Sequence, residues 1–116
     1  MTPYEILVNC EDLLKLLPRG KRSIYKDQNP AAGDYPSVVV VTNSTTPAAH
    51  ADNKPYAFRK GVSVFVFTKF GNDEEFDRII FKALTEKDFS YTGSERTIEY
   101  DMHVLRAGYE YISNKL

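Results

Sequence analysis

The sequence predicts an α+β fold, a mainly antiparallel sheet with two helices. Three observations predict it. Two stretches place apolar residues at helical spacing behind capping residues, and two others are runs of valine and phenylalanine. The third is length. A chain of 116 residues supports one hydrophobic core, whereas two would leave each half too small to be stable alone. Residues 1–116 are therefore expected to form a single domain.

The first helix is predicted over about residues 3–17. Thr2 suits the N-cap, Pro3 the first helical position, and Glu5 the third, a capping-box spacing. Ile6, Leu7, Cys10, Leu13, Leu14 and Leu17 then form a one-sided stripe, and Pro18 and Gly20 end it. Ser23 to Lys26 reads as a short strand, and turn residues follow up to Pro36. Four consecutive valines, Val38 to Val41, predict a strand covered on both faces.

Residues 43–55 carry no large apolar side chain and read as a long polar connection, a length that is often functional. Tyr56 to Thr68 is the longest strand signal. Val62, Val64 and Val66 fall on one face, with Ser63, Phe65 and Phe67 on the other. A small domain with few helices has too little to cover both, so the second face is a candidate for burial by another subunit.

Asn72 is the expected cap of the second helix, about 73–87. There Phe76, Ile79, Ile80, Ala83 and Leu84 make a continuous apolar face, and Phe81 falls outside it. Two strands complete the chain: one from Phe89 to Tyr100 with a kink near Gly93, and one from Met102 to Ile112.

Composition excludes several function classes. Fifteen basic against sixteen acidic residues leave a net charge of −1, without the basic excess that gripping phosphate backbones requires. One cysteine, Cys10, permits no internal disulfide and no cysteine-based zinc site. The opening residues predict no secretory leader, and no apolar run has the length of a membrane span. The glycines form neither a dinucleotide-binding nor a phosphate-binding loop. His50 beside Asp52 reads as a solvated loop pair, and His103 as a structural contact of Asp101. No catalytic, cofactor-binding or metal-ligating residue is expected, and no cofactor. Eight tyrosines and seven phenylalanines suit a core and an interface alike.

In segment order the chain resembles the tail-completion or tail-terminator proteins of long, non-contractile-tailed bacteriophages. The segments that carry the resemblance are the strand Tyr35 to Val41, the polar stretch ending Ala51 to Pro55, and the strand Val62 to Lys69. The helix around Phe76, Ile79, Ile80 and Leu84 follows, then Lys87 to Gly93 and the strand His103 to Ala107. The resemblance implies a non-catalytic virion protein that closes into a ring, similar to the hexameric collars that cap a finished tail tube, stop its polymerisation and provide the surface to which the head docks. It implies as partners other copies of the chain, the major tail tube protein and the head-completion or stopper protein. DNA would be only passing cargo in the channel, and no membrane would be involved. The implied location is the tail–neck junction of a virion assembled in the host bacterial cytoplasm.

The expected subunit-interface residues are Phe65, Phe67 and Phe81, with Tyr56 and Phe58 in the long strand and His50 and Asp52 in the polar connection. Other readings are a head-closure, stopper or other neck ring, a monomeric prophage-encoded binding module, or an enzyme joining His50 or His103 to acidic partners.

Overall fold

The structure, a computed structural model, describes residues 2–51, 54–69, 73–99 and 101–113. Strands β1 (Ile24–Lys26), β2 (Ser37–Ala51), β3 (Lys54–Thr68), β4 (Ser90–Glu99) and β5 (Met102–Ser113) form one sheet in the order β1-β2-β3-β5-β4. Helices α1 (Pro3–Val8), α2 (Glu11–Leu14) and α3 (Asp73–Thr85) pack on one side of it. The fold is α+β and dominated by its sheet, as expected. β1 runs parallel to β2, and the other three pairings are antiparallel.

The sheet is two-faced because its side chains alternate. Val38 and Val40 of β2 lie opposite Val66 and Val64 of β3, which lie opposite Leu105 and Ala107 of β5. All are buried against Leu7, Leu13, Phe76, Ile80 and Leu84 of the helical layer. Each large apolar side chain buried this way contributes roughly 1.5–3 kcal/mol.

The predicted first helix is broken. α1 stops at Asn9, whose side-chain Nδ2 donates to the Glu5 carbonyl at 2.8 Å and so occupies a turn-end acceptor. Cys10 takes the N-cap position of the short α2 without a side-chain capping bond. The break re-aims the chain while keeping Ile6, Leu7, Leu13 and Leu17 in the core. At the start, the Glu5 backbone N–H donates to Thr2 Oγ1 at 3.2 Å, one half of the expected box. α3 buries Phe76, Ile80 and Leu84, with Ile79 and Ala83 packed beside them. The expected cap, Asn72, lies outside the described residues. His103 sits in β5 opposite Thr68 and Ile98, and among the described residues no ion pair joins it to Asp101 in the preceding turn.

The largest departure is the polar connection 43–55. Its described residues belong to β2 and β3, which stay paired outward, from Ser44 opposite Gly61 to Ala51 opposite Lys54. β1 leaves β2 after Val40, and β5 leaves β3 at Phe58. The outer end of this pair, beginning with Ala49 opposite Ala57, therefore has only its own two strands. This arm gives the molecule extents of 52 × 27 × 22 Å and a radius of gyration of 15.1 Å, against about 13 Å for a compact chain of this length.

Candidate assembly surface

The face of the sheet away from the helices carries a cleft of about 510 Å³. Its floor is Val39, Val41, Phe65 and Phe67, and one wall is Asp27, Gln28 and Asn29. Phe65 and Phe67 are half-buried, with ring centroids 6.3 Å apart and planes 20° apart. Strand alternation puts them here, since Val62, Val64 and Val66 use the covered face.

The other side of the cleft is polar. Ser63 Oγ accepts from Asn43 Nδ2 at 2.7 Å and from Arg106 Nε at 3.3 Å. Arg106 Nη1 also donates to Glu95 Oε1 at 3.1 Å, so its charge is matched on the protein itself. Ser63 is buried, and its two hydrogen-bond partners among the described residues are donors.

A buried carboxylate, Asp34, lies in the same β1–β2 segment as the wall residues Asp27 to Asn29. Asp34 accepts from Ser23 Oγ at 2.9 Å, from Arg19 Nη2 at 3.0 Å and from the Tyr25 hydroxyl. Burial pushes the Asp34 carboxyl up, but the bonds from Tyr25, Arg19 and Ser23 outweigh it and hold the carboxyl below its ordinary value. The cluster ties the segment after β1 to the turn that follows α2.

Phe81 lies elsewhere. It is 44% exposed on α3, in the helical layer, and meets Tyr91 of β4 edge-on at 5.5 Å. Tyr91 in turn meets the buried Tyr109 at 5.5 Å. The expected set is therefore split between two surfaces. Phe65 and Phe67 share the open sheet face, while Phe81 marks the opposite layer beside the β4 edge. Phe58 is half-buried in β3 opposite Pro47 and Ser113, at the base of the arm tip. His50 and Tyr56 belong to the arm strands, but their side chains lie outside the described ones, and Asp52 lies outside the described residues altogether.

No known protein-family model matches the chain, and no curated protein matches it. No helix among the described residues is long and apolar enough to cross a membrane.

Sequence reasoning missed Asn43, Arg106 and Tyr91. Arg106 follows the strand pattern of β5 and could have been placed on the Phe65 face from its register. Asn43 gives no such signal.

Proposed function

We propose that this chain is a structural virion protein that caps a phage tail tube as a ring of six copies. On this reading it ends tail polymerisation, presents the surface to which the head docks, and catalyses nothing. Its partners are its own copies, the major tail tube protein and the stopper protein of the connector.

The observation that carries the reading is the pairing of an uncovered apolar sheet face with a projecting arm. An isolated two-stranded hairpin is marginal in water, so the arm tip gains by lying on another surface. Phe65 and Phe67 offer a surface that gains by being covered. A contact between unlike surfaces of identical subunits closes into a ring when its rotation permits. The matched charge of Arg106 and the net charge of −1 agree with a channel that lets DNA slide.

Electron microscopy of the purified chain mixed with tail tubes tests this. The expected result is one ring at one end of each tube and no further growth when tube protein is added. Tubes that stay uncapped and keep growing would overturn it, and rings that bind only head-side connectors would move the chain to the stopper position.

A further inference from the structure

Among the described residues, the sheet ends on a strand with nothing beside it. β4 bonds to β5 along one side only. After the register shift between Tyr91 and Gly93, the run Ser94 to Glu99 continues without interruption. Exposed edges are normally guarded by charged side chains, lysine above all, by proline or by a bulge. This run contains neither lysine nor proline, and its charges are Glu95, Arg96 and Glu99. The apolar layer also reaches this edge and stops there: Tyr109 is buried, but Tyr91 and Phe81 beyond it are 40% and 44% exposed.

The far side of the sheet has a second open stretch. β1 covers only Val38 to Val40 of β2. Between Val40 and Pro47, which has no N–H to donate, six residues from Val41 to Thr46 have no strand among the described residues on their outer side, and a register shift between Thr42 and Ser44 falls within them. The Thr42 backbone N–H donates to Asp27 Oδ1 at 3.2 Å, a side chain standing where a strand carbonyl would be. The β4 run Ser94 to Glu99 also has six residues.

We infer that β4 of one copy adds to the outer side of β2 of the next, over Val41 to Thr46, making the sheet continuous between copies. The inference rests on the ring reading and names its joint. The two edges differ and lie on opposite sides of one sheet, so the contact is head-to-tail and can close. Backbone hydrogen bonds would supply the register, and the Phe81–Tyr91 pair would continue the apolar layer across it.

Charge argues for this occupant over β4 meeting its own copy. A two-fold pairing must keep each sheet face continuous, so its axis passes through a residue. Only two centres pair five residues of the run: Arg96, which sets guanidinium against guanidinium, and Thr97, which sets residue 95 opposite residue 99, both glutamates; a centre at Ile98 avoids like charges but pairs only three residues of the run. Like charges directly opposite destabilise a strand pair. The stretch Val41 to Thr46 has no charged residue of its own, and the one carboxylate bonded to its outer side is Asp27, at the Thr42 end.

Singly blocked variants test it. Along a strand the N–H groups alternate in direction, so of Thr97→Pro and Ile98→Pro one removes an outward donor and spares the β4–β5 ladder. The variant that keeps the parent's urea midpoint is used, and Ser44→Pro or Thr45→Pro is chosen in the same way on β2. Native mass measurement should find each variant alone at least tenfold weaker in self-association than the parent. Mixing the two should give a heterodimer and nothing larger, because each supplies the edge the other lacks.

Variants that form rings like the parent would overturn the joint and leave the ring reading standing. A β2-blocked variant that forms homodimers would show β4 pairing with itself and overturn the joint. A parent that is monomeric at every concentration would remove both. If every proline variant unfolds, hydrogen exchange on the unaltered chain decides. Amides in 94–99 and 41–46 should slow at least tenfold as oligomer forms, and unchanged exchange would overturn the joint.

Discussion

Ser23 Oγ donates to Asp34 Oδ1 at 2.9 Å, and both residues are buried. Asp34 lies in the segment joining β1 to β2 and Ser23 in the turn before β1, so the bond ties together the chain on either side of β1.

Asp34→Asn should lower stability by about 1–3 kcal/mol at neutral pH, the cost of leaving buried polar groups poorly paired. The folded carboxyl titrates below its ordinary 3.8. Ionised Asp34 therefore contributes stability above that value, and the contribution is lost as pH falls through the lower folded value. Urea unfolding across the acid range should show a steeper loss in the parent than in the variant. Equal slopes would mean the carboxylate is not held by these bonds.

Asp77 Oδ1 and the Tyr109 hydroxyl are both buried without a hydrogen-bond partner. Burial raises the Asp77 carboxyl, Arg96 opposes this and Asp73 reinforces it. The sign is therefore opposite to that of Asp34. Its contribution is full below the unfolded value and is lost as pH rises through the folded one. Asp77→Asn should stabilise the fold by about 0.5–1.5 kcal/mol at neutral pH, and the gain should shrink in acid. Tyr109→Phe, which removes the unpaired hydroxyl, should also stabilise. Thermal unfolding at two pH values checks both, and a loss in either variant would contradict the assignment.

Gly108 lies opposite Gly93 in β5, and a Cβ placed on it would collide with Thr92 Oγ1. Gly108→Ala should therefore cost about 1–3 kcal/mol through overpacking, and Thr92→Ala in the same chain should restore most of it. A double-mutant cycle on urea midpoints measures the coupling, and simple additivity would refute the clash.

Phe81→Glu separates folding from assembly. The side chain is 44% exposed, so the isolated fold should lose about 0.5–1.5 kcal/mol, mainly the edge-on contact with Tyr91. Self-association should weaken at least tenfold. Phe65→Ser on the other surface should also impair assembly. Circular dichroism and sedimentation compare the two effects, and a Phe81→Glu chain that assembles normally would remove this residue from the interface.

Most of the fold was legible because it follows periodicity. The valine run, the alternation from Val62 to Phe67 and the stripe on α3 each declare an element and its buried face. The kink near Gly93 was legible for the same reason, as turn chemistry inside a strand. The arm was not. Asn43 to Ala51 alternates no large apolar groups, and its strand conformation comes from pairing with the partner strand, which local propensity does not report. The break at Asn9 was hidden because the stripe continues through it. The Asp34 cluster joins residues up to 15 positions apart, so only the folded chain brings them together. The open face was foreseen from Phe65 and Phe67, but the separation of Phe81 onto the other layer required the order of strands.

The central claim is self-association through unlike surfaces, and the mass of the native assembly tests it most directly. Native mass spectrometry across a concentration series, with negative-stain imaging of the same samples, should find a closed species of six chains and ring-shaped particles. A monomer of 13.2 kDa at every concentration, with no rings, would contradict the account.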